Sequence, residues 1–577
     1  MARRSPPGGQ RARAARCRRR VHGAARRPLR PTFPVRSADS GPALTARNER
    51  RGGVGGLAPG CGSCGGRGAG GRRRPVSGLP GNGGTGLPPR VHCVGVAGGG
   101  LSVLARLLLQ CGHRVSGSDR AAVAPALLRA GLQLSQGAGC EHARAADLLV
   151  RSAAVPDDDR EVTAARAAGV PVLKYAEALG RIMAGRRGVA VAGTHGKTTS
   201  TALVAHLAQH AGLEPAWVVG GLPRGLPACS WGRGEVLVAE ACEYDHSFLQ
   251  LDYQVGVITG VAADHLDCFG DLDGVWRAFQ RFAARLPPGG TLVLGPGLSR
   301  EQLLGEAPDS AYDAACAGAL AEAPDASARA SLHSPEGEPR APSAGVSPRG
   351  RVVSVDETLR LERLVAGPDG WRGDLLLDDG RRLPLLCPLW GRHNLGNALC
   401  ALLAVHALGV DWEQGLAGLA SFEGVGRRLH DRGELHLTPG ASVRLIDDFA
   451  HHPDALRAAA EALASHLPGR RRVALFQPHQ VSRTEEHLDA FVTALGHFDA
   501  VGLCDIFVAR DARPERADAL AETLAQRAGQ HVQRLGPAAS ADAAARALLR
   551  PGDACVVMGA GDIDGLARRL AAGPAGP

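Results

Sequence analysis

The stretch V-A-V-A-G-T-H-G-K-T-T at residues 189–199 decides the fold. The apolar run Val189–Ala192 predicts a strand, and the helix predicted to follow carries Leu203, Val204 and Leu207 on its buried face. A strand, a glycine-containing loop and a helix in this order direct backbone N–H groups and the positive helix end toward an anion. The predicted phosphate-binding loop consists of Gly193, Thr194, His195, Gly196, Lys197, Thr198 and Thr199.

The use of lysine supports this prediction. Of the 67 lysines and arginines in the chain, only Lys174 and Lys197 are lysine. A lysine inside the loop of so arginine-rich a chain indicates that the site needs a compact ammonium group rather than a planar guanidinium. Lys197 is therefore predicted to contact the β- and γ-phosphates of ATP, and the hydroxyl of Thr198 to bind Mg²⁺.

Strands alternate with helices on both sides of this loop, which is typical of parallel α/β domains. The apolar run Val91–Val96 predicts a strand, Leu101–Cys111 a helix, and Arg114–Ser118 a second strand. Four strand-like runs follow near the C-terminus: Val443–Ile446, Val473–Phe476, Ala500–Cys504 and Ala554–Met558. The pattern and the length together predict an α/β protein of three domains.

Composition distinguishes two segments from the predicted domains. Residues 1–88 are dominated by Arg, Gly and Pro without hydrophobic periodicity, and we expect a disordered extension. Residues 89–186, 187–424 and 425–577 are the three predicted domains. A stretch at 306–350, rich in Ala, Pro and Ser, predicts a low-complexity insertion in the central domain.

The net charge of +10 is distributed unevenly. Residues 1–88 contain nineteen arginines and two acids, a charge of +17, which leaves −7 for the remainder of the chain. The predicted domains therefore lack the basic excess of a nucleic-acid-binding protein, and no nucleic-acid partner is expected. The sequence has no apolar run of membrane-spanning length and no secretory signal, so we expect a cytoplasmic protein without a membrane contact.

Two polar residues follow other predicted strands of the central domain. Glu240 ends the apolar run Val236–Ala239, and His265 follows the run Val255–Thr259. In open parallel sheets, ligands bind beyond the carboxyl ends of the strands, where the phosphate loop also lies. Thr198, Glu240 and His265 are therefore the predicted metal-site residues.

At this point the sequence resembles the Mur ligases, from about residue 90 to 572. The resemblance rests on the order and spacing of several motifs. These are the phosphate loop, A-E-A-C-E-Y-D-H-S-F at 239–248, A-D-H-L-D at 263–267, G-R-H-N-L-G-N-A at 391–398, G-V-G-R-R at 424–428, D-D-F-A-H-H-P at 447–453, F-Q-P-H-Q-V-S-R-T at 476–484 and G-A-G-D-I at 559–563.

The resemblance implies ATP-dependent ligation of L-alanine to the lactyl carboxylate of UDP-N-acetylmuramate through an acyl phosphate, a step of peptidoglycan precursor synthesis. It implies a Rossmann-like first domain that binds the UDP-sugar, a central P-loop-type ATPase domain that binds ATP, and a Rossmann-like C-terminal domain that binds the amino acid. The implied catalytic residues are Lys197, His451, Arg483 and Arg427. The implied nucleotide contacts beyond the loop are His393, Asn394 and Asn397. The implied substrate contacts are Gly95, Gly98, Gly100, Ser118, Asp119, Arg427, Arg428 and His452.

Several alternatives stay open. Other Mur ligases position Mg²⁺ with a carbamylated lysine, and no lysine follows Lys197 here, which favours the alanine-adding branch or a recycling ligase that attaches a murein peptide. The family often has Tyr at Phe449, Arg at Gln480, and Asn and Glu at Gly260 and Ala262, so a catalytically impaired nucleotide-binding homologue is a further alternative. The amino-acid preference and the choice between monomer and homodimer are left open. A folate polyglutamate ligase is disfavoured by the first domain, and a nucleic-acid-dependent NTPase by the charge distribution.

Overall fold

The computed structural model describes residues 84–135, 140–304, 350–377, 379–509, 511 and 513–572, without the side chains of residues 266 and 267. Almost all of the predicted extension and insertion lies outside these residues. Two of residues 84–88, which the prediction assigned to the extension, are buried: Leu87 lies in the core, and Thr85 Oγ1 lies 2.7 Å from His113 Nε2. The first domain therefore begins before the predicted boundary. The sequence did not reveal this, because two isolated buried side chains produce no hydrophobic periodicity.

The first sheet is parallel, with the strand order β3-β2-β1-β4-β5 of a Rossmann-like half. Its strands are β1 (Arg90–Val94), β2 (Arg114–Ser118), β3 (Gln133–Leu134), β4 (Leu148–Arg151) and β5 (Val172–Lys174). Its helices are α1 (Gly99–Gln110), α2 (Pro125–Arg129), α3 (Cys140–Ala145), α4 (Arg160–Ala167) and α5 (Tyr175–Ala184). The predicted strand–helix–strand unit is confirmed, with ends shifted by one or two residues.

The second sheet has the order β12-β11-β10-β6-β9-β7-β8 and is parallel except for β8. Its strands are β6 (Arg187–Ala192), β7 (Ala216–Val218), β8 (Cys229–Ser230), β9 (Val236–Glu240), β10 (Val255–Ile258), β11 (Thr291–Leu294) and β12 (Arg351–Ser354). The helices of this part are α6 (Lys197–His210), α7 (Leu266–Phe269), α8 (Leu272–Ala284), α9 (Arg300–Leu304) and α10 (Val355–Thr358), together with a 3-10 segment at Tyr244–Gln250.

A three-stranded antiparallel sheet, β13-β14-β15, follows the second sheet and was not predicted. Its strands are β13 (Arg360–Gly367), β14 (Gly370–Leu376) and β15 (Arg382–Cys387). The first two are joined by the turn Pro368–Asp369, a residue pair that is typical of hairpins and that the alternating α/β pattern obscured. Two helices, α11 (Arg392–Ala407) and α12 (Trp412–Ala420), complete this region.

The third large sheet has the order β16-β17-β21-β18-β19-β20 and is parallel except for β16. Its strands are β16 (His430–Thr438), β17 (Ala441–Asp448), β18 (Arg472–Phe476), β19 (Ala500–Cys504), β20 (Val532–Gly536) and β21 (Ala554–Met558). Its helices are α13 (Pro453–His466), α14 (Val481–Glu486), α15 (Leu488–Leu495), α16 (Ala517–Ala528), α17 (Asp542–Leu548) and α18 (Ile563–Ala571). The four predicted C-terminal strands are confirmed within this sheet.

Helix α6 is enclosed on nearly all sides. Its predicted apolar face, Leu203, Val204 and Leu207, is buried, and so are Thr199, Ser200 and Thr201, because α11 and α12 pack against this helix in addition to the sheet. The phosphate loop is thus fixed between a sheet and a second helix. Among the described residues, no helix has the length and apolar composition needed to cross a membrane.

Candidate active site

The phosphate loop lies at the carboxyl end of β6, between the ends of β9 and β10. Two of its glycines have positive φ angles, +135° at Gly193 and +85° at Gly196, which side chains rarely adopt. A Cβ at Gly193 would lie 2.0 Å from Thr259 Oγ1, and a Cβ at Gly196 would lie 2.3 Å from Asn397 Oδ1. The loop conformation therefore requires glycine at both positions.

The ammonium group of Lys197 donates to three acceptors, two loop carbonyl oxygens and Glu243 Oε1, and forms an ion pair with Glu243 Oε2. Lys197 Nζ lies 2.6 Å from the carbonyl oxygen of Gly193, 3.2 Å from that of Thr194, and 2.9 Å and 2.8 Å from the two carboxylate oxygens of Glu243. The Glu243 side chain is 2% exposed, so its charge is compensated chiefly by this lysine. The sequence prediction missed Glu243, although it lies in the same polar segment as Glu240, because spacing alone does not distinguish the two carboxylates.

Glu240 connects the phosphate loop to the loop that follows β7, which contains Gly220. One of its carboxylate oxygens accepts the N–H of Gly220 at 2.7 Å, and the carboxylate also accepts the hydroxyl of Thr198. Burial raises the pKa of Glu240, with the nearby Lys197 opposing that shift. The structure thus brings together two of the three predicted metal-site residues, Thr198 and Glu240.

His265 lies on the loop that follows β10. Its φ angle is +55°, and its ring contacts Tyr244 edge-on with ring centroids 5.1 Å apart. Over the described part of the chain, no three His, Cys, Asp or Glu side chains form a group able to hold a metal ion. A metal ion at Thr198 and Glu240 would therefore take further ligands from phosphate and water, as Mg²⁺ commonly does.

The predicted adenine contacts lie at the start of α11. Asn394 and Asn397 are buried, with Asn397 Nδ2 donating to Asn394 Oδ1 at 3.2 Å and Asn394 Nδ2 donating to the carbonyl oxygen of Trp390 at 2.9 Å. Asn397 packs against Gly196 of the phosphate loop, and His393 lies beside Gly391. These asparagines join α11 to the phosphate loop, and their contact with adenine stays a prediction.

The segment Arg427–Leu429, which precedes β16, carries two of the predicted arginines. The guanidinium carbons of Arg427 and Arg428 lie 4.9 Å and 5.1 Å from the ring centroid of Phe449. A phenyl ring provides this cation–π contact without a phenolic hydroxyl, so replacing the family's Tyr by Phe449 keeps the support of both guanidinium groups.

Two buried carboxylates at the end of β17 fix that segment, and the sequence prediction missed both. Asp447 contacts Arg432 at 2.5 Å and Arg427 Nε at 3.7 Å. Asp448 accepts the N–H of Leu429 at 2.6 Å and that of Ala450 at 2.7 Å. Since Arg427 and Leu429 have φ angles of +60° and +46°, these contacts stabilise an otherwise unfavourable backbone.

Histidines from the central and C-terminal regions meet next to the phosphate loop. The rings of His195 and His452 lie 5.9 Å apart, and the rings of His451 and His479 lie 5.8 Å apart. His451 Nδ1 lies 2.9 Å from the carbonyl oxygen of Phe449, so it carries the proton and leaves Nε2 as an acceptor. Withdrawal from water lowers the pKa of His451 to about 4, and the ring is therefore neutral at pH 7.

Arg483, on α14, faces the central sheet. Its guanidinium group lies 3.7 Å from Asp264, the residue before His265. Gln480, where the family often has Arg, has a φ angle of +68°; its N–H donates to the carbonyl oxygen of Phe507 at 2.9 Å. The structure thus brings His195, His452 and Arg483 to one region next to the phosphate loop, and their part in ligation stays a prediction.

The predicted sugar-nucleotide loop lies at the carboxyl end of β1. Its backbone is fixed by Ser118, whose carbonyl oxygen accepts the N–H of Gly95 at 2.9 Å, and by Asp119, which accepts the N–H of Ala97 at 2.8 Å. Gly95 has a φ angle of +84°, and a Cβ at Gly100 would lie 3.3 Å from the Tyr175 ring. Gly98 donates its N–H to the carbonyl oxygen of Gly95 at 3.1 Å. Asp119 therefore has a structural role in this loop, and its contact with substrate stays a prediction.

Three family models match the chain. They are the catalytic domain of the Mur ligase family at residues 90–187, the Mur ligase middle domain at 191–339, and the Mur ligase glutamate ligase domain at 431–561.

Relatives match over most of their length. The chain is 36% identical over 492 residues to the UDP-N-acetylmuramate–L-alanine ligase of Xanthomonas campestris pv. campestris (strain B100), covering 84% of this chain and 95% of the relative. The ligase of the same name from Xylella fastidiosa (strain 9a5c) is 36% identical over 490 residues, with the same coverage.

Two solved structures share the fold. The UDP-N-acetylmuramate–alanine ligase of Thermotoga maritima superposes with a TM-score of 0.64 at 23% identity, covering 83% of this chain and 98% of that one. The murein peptide ligase of Psychrobacter arcticus superposes with a TM-score of 0.56 at 21% identity, covering 84% and 99%. The predicted three-domain α/β architecture is confirmed, and the chain belongs to the Mur ligase family.

Proposed function

We propose that the protein is an ATP-dependent ligase that joins L-alanine to the lactyl carboxylate of UDP-N-acetylmuramate in the cytoplasm. The observation that carries this proposal is the proximity of the lysine-containing phosphate loop to histidines and arginines of the C-terminal region. The two bacterial relatives described above, at 36% identity, carry the name of this activity.

The proposed reaction transfers the γ-phosphoryl group of ATP to the lactyl carboxylate, which gives an acyl phosphate and ADP. The amino group of L-alanine then attacks the acyl carbon, and inorganic phosphate leaves from the tetrahedral intermediate. Negative charge is transferred and develops in both steps, so fixed cations stabilise both transition states. Lys197, Arg427, Arg428 and Arg483 are the cations that we assign to this role.

Thr198 and Glu240 would hold Mg²⁺ together with the phosphates of ATP. A partly buried carboxylate beside a hydroxyl fits this ion, since oxygen ligands are those that Mg²⁺ prefers. The bound ion would neutralise charge on the transferred phosphoryl group. His265 remains a candidate ligand on the neighbouring loop.

We infer that His451 accepts the proton that the amino group loses. The ring is neutral at pH 7, and the contact of Nδ1 with the Phe449 carbonyl oxygen presents Nε2 as the basic nitrogen. A low pKa makes His451 a weak base, so we expect it to act once attack on the acyl phosphate has acidified the amine.

The acceptor is tested by measuring phosphate release from ATP in the presence of UDP-N-acetylmuramate, with L-alanine, glycine, L-serine or L-Ala-γ-D-Glu-meso-diaminopimelate, and by identifying each product by mass. The proposal predicts release that requires both the sugar nucleotide and L-alanine. Release only with the peptide would show a recycling ligase. No release with any acceptor would indicate an impaired homologue, with Gln480 the first residue to revert to Arg.

A further inference from the structure

The residues that follow β9 form a short link, Glu243–His246, which we call the bridging segment. Both lysines of the chain pair with it. Lys197 of the phosphate loop contacts Glu243 at 2.8 Å, and Lys174, at the end of β5 in the first domain, contacts Asp245 at 2.6 Å. Every other basic side chain among the 67 is an arginine, so the only two lysines meet two carboxylates that are two residues apart.

The backbone of the bridging segment is strained. Asp245 and His246 have φ angles of +55° and +52°, in the left-handed region that non-glycine residues rarely adopt. Two successive residues of this kind persist only where surrounding contacts hold them. The N–H of His246 donates to the carbonyl oxygen of Glu243 at 3.0 Å, and the ion pair with Lys174 holds Asp245 from outside the segment.

The first domain supports Lys174 rigidly. Its N–H donates to the carboxylate of Glu177 at 2.6 Å, which fixes it at the start of α5. Helix α5 packs closely on the 3-10 segment, since a Cβ at Gly180 would lie 2.0 Å from the carbonyl oxygen of Gln250. Tyr175, which follows Lys174 in the chain, packs on Gly100 of the predicted sugar-nucleotide loop. Continuous contacts therefore run from that loop to the bridging segment.

We propose that the Lys174–Asp245 ion pair is a positioning contact for the nucleotide site, which acts through Glu243 on Lys197. This proposal rests on the proposed function, in which Lys197 binds the phosphates of ATP. Without the pair, the strained backbone relaxes and Glu243 no longer holds the ammonium group over the phosphate loop. Because both partners are about 40% exposed, the pair contributes little to folding, and its loss changes nucleotide binding.

The test measures the affinity of the full chain for the ATP analogue AMP-PNP with Mg²⁺ by calorimetry. Lys174→Met and Asp245→Asn are each expected to weaken binding ~5-fold, while Lys174→Arg, which keeps the charge, stays within ~2-fold of the wild type. In a Glu243→Gln background, Lys174→Met is expected to add less than a ~2-fold change, since the effect passes through Glu243. Arg285→Met is the matched control, because Arg285 is as exposed as Lys174 and pairs at 2.9 Å with a carboxylate, that of the more exposed Asp252.

Wild-type affinity in Lys174→Met, or an undiminished effect of Lys174→Met in the Glu243→Gln background, would overturn the proposal. So would a wild-type chain that binds no AMP-PNP, because Lys197 would then have no nucleotide to be positioned for. A wild-type chain that binds AMP-PNP but ligates no acceptor would refute the proposed function alone, and the comparison of variants would still test the ion pair.

Discussion

At the scale of single residues, the environment of Lys197 explains why a lysine persists in a chain that otherwise uses arginine. Its ammonium group fits between two loop carbonyl oxygens and Glu243. A guanidinium group is planar and larger, and it cannot direct three donors into that space. We expect Lys197→Arg to lower kcat/KM for ATP at least ~100-fold, measured by phosphate release. Lys174→Arg is the matched control, and near-normal ligation by Lys197→Arg would contradict the assignment.

Also at the residue scale, the lowered pKa of His451 makes stability depend on pH. Between the ordinary histidine pKa of 6.5 and the folded value of about 4, the unfolded chain binds a proton that the folded chain does not. The contribution of this residue to the free energy of unfolding therefore falls as the pH drops through that window. We expect the Tm of His451→Asn to fall less than the Tm of the wild type when the pH is lowered from about 7 to about 4.5, as measured by calorimetric scans. Parallel profiles would contradict the inferred pKa.

At the scale of elements, α6 has a glycine of positive φ at each end, and the two differ in what surrounds them. A Cβ at Gly196 would lie 2.3 Å from Asn397 Oδ1, whereas a Cβ at Gly212, whose φ angle is +76°, would meet no described atom within 4 Å beyond its chain neighbours. We expect Gly212→Ala to cost about 1–2 kcal/mol of stability without changing nucleotide affinity. Gly196→Ala should in addition displace the phosphate loop and weaken AMP-PNP binding at least ~10-fold in calorimetry. Equal affinities in the two variants would contradict the packing described at Gly196.

The strands and helices that follow one another in βα order could be predicted from the sequence, because periodicity and glycine positions report local structure directly. The hairpins of β13–β15 could not, since they interrupt the alternation of strands and helices and their burial is mixed rather than continuous. At the site, the phosphate loop and Glu240 could be predicted from motif and strand end. Glu243, Asp447 and Asp448 could not, because their roles depend on contacts with residues distant in sequence.

At the scale of the whole molecule, the structure places in the first domain two residues that composition assigned to the arginine-rich extension. Leu87 is buried in the core and Thr85 contacts His113, so both belong to the folded part. We expect removal of residues 1–83 to leave ligation and Tm unchanged. Removal of residues 1–88 should lower the free energy of unfolding by about 2–3 kcal/mol through loss of the buried leucine. Lost activity in the shorter deletion would show that the extension takes part in function.

The proposed ligation requires phosphoryl transfer from ATP, assigned to the central domain, to the lactyl carboxylate of a substrate assigned to the first domain. The most direct test uses UDP-N-acetylmuramate labelled with ¹⁸O in its lactyl carboxylate, incubated with ATP, Mg²⁺ and L-alanine. An acyl phosphate transfers one carboxylate oxygen to the phosphate that leaves, so we predict that each released phosphate carries one ¹⁸O. Unlabelled phosphate would mean that water, rather than the carboxylate, accepts the phosphoryl group, and it would contradict the ligase mechanism.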